Sequence, residues 1–240
     1  MLLYVYAFLI GAVLGSFYMV VAIRIPKGES IITPRSSCHY CQHTLKPREL
    51  IPIISFCIQK GCCTYCKMKI PCTYILFELI TGSLFLISAC VIGMDKELIV
   101  VWTLVSLLII ITVTDLLYMI IPNVILFCFA CLFIVERIFI PLVSWTDGLV
   151  GGGIILLVLY LVRLIYPNGL GGGDVKLLSL LGFIIGTKGI LMTLCLASCL
   201  SLCFFGICML LKRMNAREPL PFGPFIALGT ICYLMMVYWE

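Results

Sequence analysis

The segment LIVVWTLVSLLIIITVT, residues 98–114, runs for seventeen residues without a charge and is followed at once by Asp115. A helix needs roughly 20 apolar residues to cross about 30 Å of hydrocarbon, so a run of this kind reads as a transmembrane span ending in a carboxylate. Working outward, comparable runs recur at Met1–Ile23, Thr73–Ile92, Ile120–Val135, Leu149–Leu161, Leu177–Ile185, Gly189–Leu211 and Phe222–Trp239. The whole chain agrees with them. It has 240 residues, 63% hydrophobic and 11% charged, with a mean hydropathy of +1.22. A soluble domain carries about 25% charged residues, so this chain lacks the polar surface to cover a water-exposed globule. The unbroken Leu/Ile runs also exclude a membrane β-barrel, whose strands alternate over about ten residues. The expected fold is an all-α polytopic membrane protein of about eight transmembrane helices with one small polar loop.

Two features of this layout sharpen it. Met1–Ile23 has no basic segment before it and no small-residue cleavage site before Arg24, so it reads as a retained span and not a signal peptide. Leu177–Ile185 is too short to cross unaided, unless its helix begins earlier in the glycine-rich stretch 169–173. The expected organisation is a first transmembrane helix at 1–23, a four-cysteine domain at 24–72 and a transmembrane domain at 73–240. Of sixteen Lys and Arg residues, only Lys96, Arg137 and Lys188 fall in one set of alternate loops, and thirteen fall in the other. The positive-inside rule makes the thirteen-charge side cytoplasmic and both termini extracytoplasmic. The net charge of +5 then reads as loop charge facing the lipid bilayer, with no nucleic-acid partner.

The polar loop contains Cys38-His-Tyr-Cys41 and Cys63-Thr-Tyr-Cys66. Two CxxC pairs at this separation suit a structural tetrahedral Zn²⁺ site, and a cytoplasmic loop too polar for its own apolar core gains folding free energy from a metal. Disulfides are disfavoured in that compartment. Cys62 competes with Cys63 as a ligand, and His39 and His43 are further nitrogen candidates that read better as loop histidines. Cys195, Cys199 and Cys203, spaced by four, read as small packing residues on a helix.

Among only eleven acidic residues, Asp115 and Asp174 sit at span ends on the expected cytoplasmic side. Ionisable groups so close to hydrocarbon are costly and mark function by default. Two carboxylates suit acid–base hydrolysis: one takes a proton from water while the other, protonated, polarises the scissile carbonyl. Gly171 and Gly173, lacking Cβ atoms, allow a substrate peptide to approach closely beside Asp174, and Lys176 is placed to hold a carboxylate or substrate group. Asp174 also reads as a helix N-cap. Asp115 has no such excuse, because a carboxylate at a helix C-terminus faces the negative end of the dipole.

These residues resemble a known family, the type IV prepilin leader peptidases, including the competence-system members of Gram-positive bacteria. The resemblance runs from Gly15-Ser16-Phe17 and Arg24-Ile25-Pro26 through Arg35-Ser36-Ser37-Cys38, the two CxxC pairs and Glu78-Leu79-Ile80-Thr81-Gly82. It continues with Asp115, Ile121-Pro122-Asn123, Gly171-Gly172-Gly173-Asp174-Val175-Lys176 and Pro221-Phe222-Gly223-Pro224. It implies a membrane aspartic endopeptidase of the GxGD type, with Asp115 and Asp174 catalytic, that cuts the basic leader from prepilins or pseudopilins. It implies as well an N-methyltransferase activity using S-adenosylmethionine, linked to the cysteine-bearing region. Glu78 begins a span on the same side and reads first as a structural interface residue, with contact to the substrate amine or the cysteine loop as the alternative. Met19 departs from the family pattern, which has Asn there. A presenilin-like intramembrane protease and a proton-coupled membrane transporter are the competing readings.

Overall fold

The computed structural model describes residues 2–38, 40–142, 145–166, 169–211 and 220–239. His39 and the basic residues Lys212, Arg213 and Arg217 lie outside them. Among the described residues the chain is helical without named strands: α1 Leu2–Arg24, α2 Ile54–Ile58, α3 Thr73–Ile92, α4 Glu97–Tyr118, α5 Asn123–Phe139, α6 Trp145–Ile165, α7 Gly172–Leu210 and α8 Gly223–Tyr238. Five are long and apolar enough to cross a membrane, α7 among them as one 39-residue element, and α8 is a shorter apolar helix. The chain is a multi-pass membrane protein with the all-α architecture expected from its sequence.

Two compact units divide the chain, Met1–Met94 and Asp95–Glu240. In the first, α1 and α3 pack antiparallel through small residues. A Cβ on Gly11 would lie 2.8 Å from the Phe85 Cβ and from the Thr81 carbonyl oxygen, and one on Gly15 would lie 2.9 Å from the Thr81 hydroxyl. Gly82 meets Phe8 in the same way. Lipid offers no hydrophobic drive for helix pairing, so backbones this close supply the packing that holds the pair. This is why α3, grouped on sequence with the chain's C-terminal part, belongs structurally to the first unit. Met19 is buried on α1, 3% exposed. Arg24 closes α1 by donating through Nη1 to the Ser30 carbonyl at 3.0 Å.

In the second unit the helices alternate in direction. The start of α8 touches the end of α4 at Gly223 and Asp115, the start of α7 touches Ile121 at Gly173, and α6 crosses α7 glycine on glycine at Gly151, Gly152 and Gly182. A continuous 39-residue helix would be about 58 Å long, nearly twice the hydrocarbon thickness. The chain reverses within it instead. Gly186 has φ 77° and ψ 177°, and the second arm then runs back along α8, from Gly189 beside Tyr233, past Thr193 beside Gly229, to Phe204 against Phe225. The hydropathy break between Leu177–Ile185 and Gly189–Leu211 is this reversal. The first arm begins at Gly172, inside the glycine-rich stretch, which gives the short span its missing turns.

The reversal frees backbone groups on both sides, and two charged residues take them up. Arg137 donates through Nη2 to the Ile184 carbonyl at 2.7 Å, and Asp147 Oδ2 accepts from the Thr187 amide at 3.3 Å. A Cβ on Gly186 would collide with that carboxylate. Arg137 corrects the sequence reading, which counted it as loop charge. It is 5% exposed and paired with Glu97 at 2.8 Å. A guanidinium in an apolar bundle persists only with such partners.

Candidate active site

Asp115 lies in the last turn of α4, where the helix dipole opposes a carboxylate. The fold offsets this with another helix. Asp115 is 6% exposed, and its Oδ2 accepts a 2.7 Å hydrogen bond from the Gly223 amide at the first turn of α8. Pro224 follows and has no amide hydrogen, so Gly223 is the donor that this helix start can offer. The contact requires glycine: a Cβ at position 223 would sit 2.9 Å from Oδ2 and 3.3 Å from Cγ. The Pro221-Phe222-Gly223-Pro224 motif thus has a physical role, to bring the positive end of α8 onto Asp115. Sequence reading noted the motif but not this partner, 108 residues away.

Asp174 is the third residue of α7, not its N-cap, because the helix starts at Gly172 with Gly171 as cap. Its carboxylate folds back over the Gly171 backbone at the start of the helix. Each glycine before it accommodates something in particular. A Cβ on Gly171 would fall 2.5 Å from Asp174 Oδ2, one on Gly172 would strike the Arg163 guanidinium, and one on Gly173 would lie 2.7 Å from the Ile121 Cβ. Asp174 is half-buried, and its carboxylate is close enough to that of Asp115 for their charges to interact. The structure therefore brings the two predicted aspartates together, each at the positive end of a helix. Lys176 is exposed and donates to Asn123 Oδ1 at 2.8 Å, tying the starts of α5 and α7.

The cysteines form a separate cluster in the first unit. The Sγ atoms of Cys38, Cys41, Cys63 and Cys66 all lie within 4.8 Å of one another. Cys38 and Cys66 are 3.8 Å apart, and Cys41 and Cys63 are 4.0 Å apart. With Zn–S bonds of about 2.3 Å, the edge of a tetrahedral site is about 3.8 Å, so the four thiols fit a zinc ion. The two halves repeat one another. Cys38 donates its amide to the His43 carbonyl and accepts from the Gln42 amide; Cys63 donates to the Met68 carbonyl and accepts from the Lys67 amide. Gln42 and Lys67 both have positive φ, 56° and 60°, and bridges Ser37–Thr44 and Cys62–Lys69 close both turns. This register assigns Cys63, not Cys62, to the cluster. His43 stacks on Tyr65 with ring centroids 3.6 Å apart and is not among the four. The amides of Cys41 and Tyr40 hold the Cys38 thiol down to about 6, as suits a thiolate ligand. At Cys66 an amide hydrogen bond from Met68 acts downward, but desolvation and the thiols of Cys63, Cys41 and Cys38 together push it up to about 11.

Glu78, five residues into α3, is 7% exposed, and its Oε2 accepts from the Ile53 amide at 2.8 Å. Ile53 has φ 62°, so the carboxylate pins a strained point of the cysteine loop. Of the readings open for Glu78, the structure supports a structural contact with the cysteine loop. Beneath it lies a cavity of about 490 Å³, bounded by Arg24, Glu29, Cys38, Glu49, Phe56 and Glu78 among others. In its wall, the Lys46 amide holds the Glu49 carboxyl below the usual range.

What these elements define is a polytopic helical membrane protein with two neighbouring carboxylates, one buried and one half-buried, and a four-thiol metal-type cluster. Comparisons with known proteins agree. The Bacterial Peptidase A24 N-terminal domain matches residues 9–92, which hold all four clustered cysteines and Glu78, and the Type IV leader peptidase family matches residues 102–206, which hold both aspartates. The prepilin leader peptidase/N-methyltransferase of Bacillus subtilis is 42% identical over 224 residues, covering 93% of this chain and 90% of that protein. Those of Aeromonas salmonicida and Pseudomonas aeruginosa are 32% and 29% identical, covering 83% and 92% of this chain and 70% and 86% of theirs. No solved structure matches. The chain belongs to the type IV leader peptidase family, and it is an enzyme of the membrane-peptidase class.

Proposed function

We propose that this chain is an aspartic endopeptidase that removes the basic leader of type IV prepilins or pseudopilins, with Asp115 and Asp174 as the catalytic pair. The observation that carries the reading is the convergence of these two carboxylates from α4 and α7, each set against a helix N-terminus. In the reaction one carboxylate removes a proton from water as its oxygen attacks the scissile carbonyl. The other, protonated, donates to the carbonyl oxygen, and the tetrahedral intermediate collapses as the leaving amine takes up a proton. Such a pair titrates as one unit. Gly171 and Gly173 let Asp174 Oδ2 and Ile121 pack against the bare backbone at the start of α7, and this glycine-lined segment is where the substrate peptide passes Asp174. Lys176, held by Asn123, offers an exposed cation at the same helix start.

The division of basic residues, thirteen against two once the buried Arg137 is set aside, supports a sidedness in which the site and the cysteine loop face the cytoplasm and both termini face outward. A pilin's apolar segment then stays in the bilayer while its basic leader reaches the site. Zinc at Cys38, Cys41, Cys63 and Cys66 serves as a structural clip for a loop too small to hold itself. Methylation of the new N-terminal amine, with S-adenosylmethionine as the methyl source, is assigned to this same region, whose 490 Å³ cavity carries both acidic and basic walls.

The test is the purified chain in lipid vesicles, given a prepilin whose basic leader ends in glycine and, separately, a generic transmembrane peptide. Cleavage after the leader glycine alone is expected, and cleavage of both would favour a presenilin-like protease. Proton flux lost on changing Asp174, with no proteolysis, would favour a transporter. Mass spectrometry of the new N-terminus with the methyl donor present reads the second activity; an unmodified amine removes it.

A further inference from the structure

The stretch Leu50-Ile51-Pro52-Ile53-Ile54-Ser55-Phe56-Cys57-Ile58 is the apolar centre of an otherwise polar loop. At nine residues it is too short to span a bilayer. Its side chains divide between two faces. Ser55 and Phe56 line the cavity beside the cysteine cluster, and Phe56 packs over Gly61. The other face carries Ile51, Ile54 and Ile58, which are 43%, 53% and 77% exposed. Ile54 and Ile58 are one helical turn apart on α2, so they share a side.

Two observations say what covers this face. The first is depth. The Ile53 amide is bonded to Glu78, whose residue lies five positions into the membrane-spanning helix α3, about 7.5 Å past its first residue. The start of α2 is therefore tied alongside a transmembrane helix, at a level where Leu76, Leu79 and Ile80 of α3 are themselves exposed apolar side chains. The second is charge. Lys46 and Arg48 precede the apolar stretch and Lys60 follows it, all three exposed, so cations bracket the apolar face as they do in segments that lie on anionic lipid.

We propose that residues 50–58 form an interfacial element, with Ile51, Ile54 and Ile58 seated among lipid acyl chains and Lys46, Arg48 and Lys60 at the anionic headgroups. The cysteine cluster and its cavity are then held on the membrane by three attachments, α1, α3 and this face. This does not depend on the peptidase reading, because it requires only that α1 and α3 span the bilayer.

The experiment uses the full chain in phosphatidylglycerol/phosphatidylethanolamine vesicles containing a phospholipid with a photoactivatable diazirine on its acyl chain, with adducts mapped by mass spectrometry. Adducts on Ile54 and Ile58 are expected, together with those on α1 and α3. A water-soluble carbene reagent should label Ile32, which is 80% exposed, and spare Ile54 and Ile58. In the I54D/I58D variant the acyl adducts on residues 50–58 should vanish while those on α3 persist. The proposal is overturned if the native chain gives acyl adducts only on its spans, or if the soluble reagent labels Ile54 and Ile58 as it labels Ile32. It is also overturned if the face instead cross-links to a second copy of the chain, or if added prepilin removes the lipid adducts by occupying it. The native-chain arm decides even where the double variant fails to accumulate.

Discussion

Replacing Gly223 with alanine tests the support of Asp115 at one atom. The new Cβ would lie 2.9 Å from Asp115 Oδ2, 3.2 Å from its Cβ and 3.3 Å from Cγ, closer than packed side chains approach. The carboxylate must turn away, and the 2.7 Å hydrogen bond from the Gly223 amide is lost with it. A hydrogen bond to a charged group contributes about 1.5–3 kcal/mol, more when its acceptor is left buried without a partner. At about 1.4 kcal/mol per tenfold in rate, turnover should fall by about ten- to a hundredfold if that bond positions the carboxylate for the reaction. The assay is prepilin cleavage by purified protein in vesicles, normalised to the amount of protein in the membrane. Gly206→Ala is the control, since a Cβ there meets nothing within 4 Å and the change also substitutes alanine for glycine in a helix. Wild-type turnover in G223A, or an equal loss in G206A, would refute the reasoning.

Other expectations follow from the same structure. Arg137→Met leaves Glu97 and the Ile184 carbonyl without their partner; breaking a buried pair costs about 3–5 kcal/mol, so the thermal unfolding midpoint in detergent should drop well below that of the native protein. Cys63→Ser should reduce bound zinc while Cys62→Ser leaves it intact, as read by metal analysis; the reverse result would move the ligand to Cys62. In metal-stripped protein at pH 7, iodoacetamide should modify Cys38 before Cys66. The first thiol, held down to about 6, is thiolate above that pH, whereas the second, pushed up to about 11, is protonated. Peptide mapping of the alkylated protein checks the order.

Much of this fold is written in hydropathy, because a helix facing lipid has few ways to be polar. The apolar runs, the break that becomes the Gly186 reversal and the CxxC spacing are all local features, and local features can be read from a chain. What escaped depends on partners far along it. That helix α7 starts in the glycine-rich stretch was foreseeable from the short span, but why glycines that disfavour a helix stand there was not; Arg163 and Ile121 occupy the space their side chains would need. Arg137 looks like a loop charge until Glu97, forty residues earlier, is brought beside it. Gly223 carries no chemical group to notice, and its meaning comes from the carboxylate 108 residues away. Asp115 was the informative exception. Its unfavourable place at a helix end pointed to an unseen compensation, which the start of α8 supplies.

The account rests most heavily on the two aspartates acting together, so the most direct measurement is prepilin cleavage by Asp115→Asn and by Asp174→Asn, each assayed alone. Asparagine keeps the shape of either side chain and removes its proton chemistry. Both variants should accumulate in the membrane with the metal content and unfolding behaviour of the native protein, and neither should release the leader. Normal processing by either one would contradict the paired-carboxylate mechanism.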